Sequence, residues 1–172
     1  HKQSLARYLS RRLTNNRLRT AADHWIDAHN APLATLKKGY FDTDNPPVRE
    51  IVMHAIKRLA TRNVDRAITV WAAQSKRFQF SDNDLGQIKR SLAIAAASQN
   101  HAERIALLDR VPPANVDDKV EKYRIRESIE TNAWEHLVRW TKDEPVGSTG
   151  ILRWRYWRAR ALQSLGKKPA AN

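Results

Sequence analysis

The segment Arg153-Trp154-Arg155-Tyr156-Trp157-Arg158-Ala159-Arg160-Ala161-Leu162, followed by Leu165 and Gly166, sets the architecture expected of this chain. It carries two of the six tryptophans and four arginines without one acid. Thr149 suits a helix N-cap, and Gly166 stands where a left-handed C-terminal residue belongs. At about 100° per residue, Trp154, Ala161 and Leu165 share one face, with Trp157 and Leu162 at its margins. Leu152, Tyr156 and Ala159 form a second apolar stripe on the opposite side. A helix that is apolar on two faces is expected to pack between neighbours, as in a stacked array. Arg153 and Arg160 fall on a third face that reaches solvent. Arg158 points into the Trp154/Leu165 face, where a guanidinium needs a carboxylate or carbonyl partner. Glu127, Glu130 and Glu135 are the nearest upstream acids, and stacking on Trp154 one turn away is a further option.

Upstream, helices recur with identifiable starts and stops. Asp143 to Ser148, with Pro145 and Gly147, read as a loop. Before it stands a helix bearing Trp134, Leu137, Val138 and Trp140, entered through a turn at Thr131-Asn132. Asp117 opens a helix through Tyr123 and Ile129. Asn100 with Glu103 resembles a capping box, opening a short helix through Ile105 and Leu108 that Val111-Pro112-Pro113 stops. Ser81 with Asp84 is another capping box, ahead of Leu85, Ile88, Leu92, Ala95 and Ala96. Asn45 caps the clearest helix, with Pro46 at its first position. Val48, Ile51, Val52, Ala55, Ile56, Leu59 and Ala60 then follow a three-four spacing. Asn63 opens its partner, which runs to about Phe78 with Val64, Ala67, Ile68, Trp71 and Ala72 inward.

Nearer the N-terminus, residues 18–29 place Ala21, Ala22, Trp25, Ile26 and Ala28 on a helix that Asn30-Ala31-Pro32 ends. Residues 33–38 suit a short helix, and 39–45 a loop with exposed Asp42 and Asp44. Leu5, Tyr8, Leu9 and Leu13 mark a first helix over 3–14. The pair-opening caps Asn45, Ser81, Asp117 and Thr149 are spaced 36, 36 and 32 residues apart. That period belongs to helix-turn-helix repeats of the tetratricopeptide-like kind, although the Trp-Leu-Gly-Tyr consensus does not recur. The expected fold is all-α: a solenoid, or superhelix, of antiparallel helix pairs in one domain spanning 1–172. No strand-like alternation supports a sheet.

Composition agrees. Five glycines are too few for a turn-rich β protein, and an apolar share of 41% is ample for a core. The net charge of +13 suits a surface that attracts polyanions, whether nucleic acid, anionic lipid or the acidic peptide stems of a cell-wall polymer. The absence of cysteine excludes disulfides, thiol catalysis and cysteine metal sites. No apolar run approaches the ~18 residues that would span a bilayer. The chain starts on His1 rather than Met and shows no signal peptide, as expected of a processed chain or a segment of a longer protein.

The segment from Trp154 to Gly166 resembles the RWRYWRARAL…LG signature in the α-superhelical domain of soluble lytic murein transglycosylases, periplasmic enzymes that cleave peptidoglycan glycan strands. Tyr123-Arg124-Ile125-Arg126, Asn132-Ala133-Trp134 and Val138-Arg139-Trp140 resemble the helix pair that precedes it in that family. Tyr123 stands where the family usually has Trp, and Asn132 where it has Asp. Upstream of about Asp117 the likeness is one of pattern and helix spacing. The resemblance implies a periplasmic, non-catalytic scaffold. It would hold a lysozyme-like catalytic domain, absent from this chain, and guide a glycan strand past it. The parent reaction it implies is cleavage between N-acetylmuramic acid and N-acetylglucosamine with a 1,6-anhydro product. Neither metal nor organic cofactor is implied.

Such cleavage needs one well-placed carboxyl group. In the family it is a Glu-Ser glutamate followed by a GLMQ segment. The one Glu-Ser here, Glu127-Ser128, has no GLMQ after it and falls inside a solenoid helix, where its Glu is expected to be exposed or paired with Arg. No catalytic residue is therefore assigned. His1, His24, His29, His54, His101 and His136 form no metal-binding spacing. No nucleophile elbow and no phosphate-binding glycine loop occurs.

The basic clusters are the one functional signal of composition. Lys2, Arg7, Arg11, Arg12, Arg17 and Arg19 form one; Arg153, Arg155, Arg158, Arg160, Lys167 and Lys168 form the other. Arg11, Arg12, Arg153, Arg155, Arg160, Lys167 and Lys168 are the candidate contacts for a polyanion or glycan; Trp154, Trp157 and Arg158 are assigned to structure. An alternative function is a basic helical-repeat module for nucleic acid or protein partners. The lack of a repeated base-reading position in each helix pair counts against sequence-specific nucleic-acid reading.

Overall fold

The computed structural model describes residues 11, 12, 14–37, 39–41, 43–142 and 151–166, without the side chains of Arg17 and Ile151. The predicted helix over 3–14, Asp42, the 143–148 loop and the Thr149 cap lie wholly or mainly outside these residues. Among the described residues there are nine α-helices and no strand: α1 (Asn16–Asn30), α2 (Pro32–Thr35), α3 (Pro46–Ala60), α4 (Val64–Arg77), α5 (Asp82–Ser98), α6 (Arg104–Asp109), α7 (Asp118–Glu130), α8 (Trp134–Trp140) and α9 (Ile151–Ser164). A single 3-10 turn, Pro113–Asn115, follows α6.

The predicted caps are made. Asn45 accepts a hydrogen bond from the Val48 amide at 3.0 Å and Asn63 one from Arg66 at 2.9 Å. Ser81 and Asp84 form the reciprocal capping box, and Asp117 accepts from Val120 at 3.1 Å. One expectation fails. Asn100 does not open α6; it closes α5, with φ of 52° and the His101 amide donating back to the Ala96 carbonyl at 2.9 Å. That five-residue return with a left-handed residue is a Schellman stop, so Asn100 stands just past one helix rather than just before the next. Asn132 does the same after α7, with φ of 56° and the Ala133 amide on the Ser128 carbonyl at 2.9 Å. Gly166 adopts the predicted left-handed geometry, φ 67°.

Helices α1, α3, α5 and α7 pack in succession as one layer. Helices α4 and α6 each lie between one member of that layer and the next, and α8 lies between α7 and α9. This stacking of pairs is the solenoid that the 36-residue cap spacing implies. One core cluster runs from Ala28 to Val120, and a second joins Ile125, Leu137 and Ala161. Ile51, Val52, Ala55, Ile56, Leu59 and Ala60 are buried as the spacing of α3 predicts. Full burial of such side chains contributes about 1.5–3 kcal/mol each for the larger ones. Gly86 in α5 admits the 3-10 turn, since a Cβ there would meet the Asn115 Oδ1.

Two inward assignments are corrected, and one tryptophan of α1 is found at the surface. Ala72 is exposed, on the outer side of α4. Trp25 is 38% exposed. On α9 the Trp154/Ala161 face is buried, but the second stripe is open: Leu152 is 81% and Tyr156 57% exposed, and Ala159 is exposed too. Helices α7 and α8 cover the first face, and no described helix covers the second.

Candidate functional site

The C-terminal basic cluster divides into two kinds of arginine. Arg153, Arg155 and Arg160 are exposed on α9, and Arg160 donates to the Gln163 side chain at 2.9 Å. Arg158 instead turns inward and donates to the carbonyls of Thr141 at 2.7 Å and Val138 at 3.3 Å, closing the C-terminus of α8. Its partner is thus a helix end; Glu127, Glu130 and Glu135 do not fill that role. Trp154 is buried and donates its indole N–H to Glu121 Oε2 at 3.2 Å, while Trp157 is half-buried beside Tyr156. In the N-terminal cluster Arg11 and Arg12 are exposed. Lys2, Arg7, Lys167, Lys168 and His1 lie outside the described residues.

The Arg158 arrangement recurs along the solenoid. Arg124, buried in α7, donates to Leu108 at 2.9 Å and Val111 at 3.4 Å, past the end of α6, and its guanidinium lies 4.9 Å from the Trp140 ring. Arg126 reaches the Ala97 carbonyl near the end of α5 at 2.9 Å. Arg62 holds the Asn30 carbonyl at 3.1 Å at the end of α1. Gln99 does the same for Ala60 of α3 at 2.7 Å, and Gln74 for Leu36 after α2 at 2.9 Å. Each device satisfies orphan carbonyls where the helix dipole is negative, and a cation there gains from both effects. A good part of the arginine content is therefore structural.

Glu127 is fully buried. Its Oε2 accepts from Arg104 Nε at 2.6 Å, and its Oε1 from both Nε (2.8 Å) and Nη2 of Arg126. Both oxygens of this buried carboxylate are engaged by guanidiniums inside the fold, which keeps them from a substrate. Glu127 is an internal clamp between α6 and α7, as the paired alternative for it requires. Among the described residues no group of three His, Asp or Glu side chains is placed to hold a metal.

A different surface, where α1 ends against α3, gathers rings and cations. The Trp25 ring lies 4.7 Å from His54, and His54 stacks on His29 at 5.6 Å with 19° between planes. Burial, followed by the charges of His29, Arg58 and Lys57, lowers the pKa of His54 from the ordinary histidine value. Next to it is a cleft of about 440 Å³ with an apolar floor of Pro32, Leu33 and Leu59 and with Lys37, Arg62 and Arg66 on its lining. Arg62 joins the two features, because it also contacts the His29 carbonyl at 3.4 Å. These histidines show no metal-binding spacing in the sequence. The four-residue spacing of Trp25 and His29, one turn on one helix face, is the signal that points to the cluster.

The fold defines a class, the α-helical superhelix of stacked pairs, locked by side chains that close one another's helix ends. The chain's fold is similar to the X-ray structure of an inactive mutant of the lytic transglycosylase Slt from Pseudomonas aeruginosa, with a TM-score of 0.79 and 24% sequence identity. The similarity covers 95% of this chain and 26% of that one, so the chain spans about a quarter of the length of its neighbour. No family model and no curated protein matches the chain.

Proposed function

We propose that this chain is the non-catalytic superhelical part of a periplasmic soluble lytic murein transglycosylase, working on peptidoglycan glycan strands. The observation that carries the reading is the shared superhelix over 95% of the chain. It is joined by the RWRYWRARAL segment, whose Trp154 and Arg158 tie α9 to α7 and α8. The internal engagement of Glu127 supports a scaffold rather than a catalyst, since the parent reaction needs a carboxyl group open to the glycosidic oxygen. In the parent enzyme the superhelix would hold the catalytic domain and lead the strand to it. The rival reading, a nucleic-acid module, rests on the charge of +13, and several of those charges are used inside the fold.

The test is incubation of the purified chain with peptidoglycan sacculi. Mass spectrometry of the soluble fraction is expected to find no anhydro-muropeptides, while the chain itself sediments with the sacculi. Release of anhydro-muropeptides would contradict the scaffold assignment. Failure to sediment at any salt concentration would remove the peptidoglycan link.

A further inference from the structure

We propose that the edge where α1 ends against α3 is a binding strip for an acidic glycan: Trp25 stacks on a sugar ring, and Lys37, Arg62 and Arg66 hold carboxylates borne by the same strand. The proposal rests on the peptidoglycan reading and moves its contact surface away from α9.

Trp25 is the one tryptophan with a large exposed surface among the described residues, at 38%. Its indole is braced from the protein side by His54, itself stacked on His29. A ring fixed in this way loses little side-chain freedom on binding. The apolar C–H face of a pyranose suits an indole through dispersion and area burial. Two further observations define the other half of the ligand. Among the described residues no carboxylate lines the cleft beside this platform, yet three cationic side chains do. Arg62 is already oriented by the Asn30 and His29 carbonyls, and its guanidinium retains further donors. The floor of Pro32, Leu33 and Leu59 favours an anion carried on an aliphatic stem over a bare inorganic ion.

The set of features separates this ligand from a nucleic acid. A single-stranded nucleic acid is bound by a continuous cationic groove with repeated stacking rings. Near the C-terminal end of α3, two further basic residues each have a protein acceptor. Lys57 donates to the Gln87 side chain at 2.8 Å, and Arg58 to the His29 carbonyl at 3.4 Å. The strip therefore offers one exposed tryptophan beside one cationic cleft, not a series of stacking rings along a groove. A saccharide ring and a carboxylate on a side branch of the same polymer match that arrangement.

The experiment measures affinity of the whole chain for three probes: soluble uncrosslinked peptidoglycan strands bearing peptide stems, the same strands after an amidase has removed the stems and the lactyl carboxylates it exposes have been converted to amides, and polyuridylate RNA. Trp25→Ala is expected to weaken both strand probes about tenfold, equivalent to ~1.4 kcal/mol. The pair Lys37→Gln and Arg66→Gln is expected to weaken the stem-bearing strands by a similar factor and to leave the stripped strands unchanged. All three positions are surface sites without a described carboxylate partner, and circular dichroism melts confirm that the variants fold. Strand binding that ignores these changes but falls in Arg153→Gln/Arg160→Gln overturns the strip and leaves the scaffold reading intact. RNA binding tighter than strand binding, and lost in the same strip variants, makes the strip a nucleic-acid site and overturns the proposal. Absence of strand binding by the unaltered chain defeats the peptidoglycan reading itself.

Discussion

At the scale of single residues, the chain's arginines matter most where they are least visible from outside. Arg158 illustrates what a sequence can and cannot yield. Its place on the apolar face of α9 requires a partner, and that requirement is legible from spacing alone. The identity of the partner is not, because it depends on which helix end lies opposite; here that end belongs to α8. Arg124 does the same for the end of α6 and is more deeply buried. Removing it takes the side-chain donors from the Leu108 and Val111 carbonyls, leaves Leu108 only its long backbone contacts, and empties the space over Trp140. Arg124→Ala is expected to cost about 2–4 kcal/mol of unfolding free energy, from lost donors and lost packing. Arg124→Met, which restores the stem but not the donors, should recover only a minor part. Chemical denaturation midpoints of the two variants check this; equal stability of Arg124→Met and the unaltered chain would show that packing, not capping, is the role. Arg153 and Arg160, by contrast, lie seven residues apart on a face away from Trp154 and Ala161, and both are exposed as that spacing predicts.

At the scale of elements, starts were easier to read than stops. Asn45, Ser81 and Asp117 each precede an apolar three-four run and each forms its cap. Asn100 has the same sequence signature with Glu103 and a different role. The deciding fact is the return bond from His101 to Ala96, which needs α5 to continue as far as Ser98 before turning. A polar residue between two apolar runs is compatible with either geometry, so only the backbone could choose. Asn132 repeats the stop after α7. Both positions carry positive φ on a residue with a Cβ. Asn100→Gly and Asn132→Gly are each expected to be neutral or to stabilise by up to ~1 kcal/mol, and the corresponding alanine variants to destabilise by about 1 kcal/mol. Thermal melts of the four variants check the sign; an alanine variant as stable as its glycine counterpart would remove the left-handed cost. The second apolar stripe of α9 is the other lesson at this scale. Leu152, Tyr156 and Ala159 show that the helix has two apolar faces, but the pattern does not say which face a described neighbour fills.

At the scale of the whole molecule, the 36-residue cap spacing made the solenoid legible, because each pair can bury its apolar faces only against the next. The ring-and-cation strip was not legible, because it forms between α1 and α3 and no single helix contains it. The same cross-helix contacts give the molecule a defined response to acid. Burial first, then the charges of His29, Arg58 and Lys57, hold the folded pKa of His54 below 6.5. Between that folded value and 6.5 the unfolded chain binds more protons than the folded one, so stability rises with pH there. The contribution is complete above 6.5 and is lost as pH falls through the folded value.

Asp109 and Asp117 act in a lower window. Burial pushes both carboxyls up, but hydrogen bonds from Arg139 and Trp140 to Asp109, and from Arg90 and the Val120 amide to Asp117, outweigh it and bring both below 3.8. Their contribution is present above 3.8 and disappears as pH falls through their folded values. All three groups therefore favour neutral over acid pH, in two separate steps. Melting temperatures taken from about pH 8 down to about pH 3 should fall first below the ordinary histidine range and again below the ordinary aspartate range. His54→Gln should flatten the first fall and spare the second, since Asp109 and Asp117 belong to junctions among α5, α6, α7 and α8 and not to the α1–α3 edge. A His54→Gln profile that overlays the unaltered chain across the upper window would show that the His29–His54 stack adds no proton linkage, and would leave the acid response to the two aspartates.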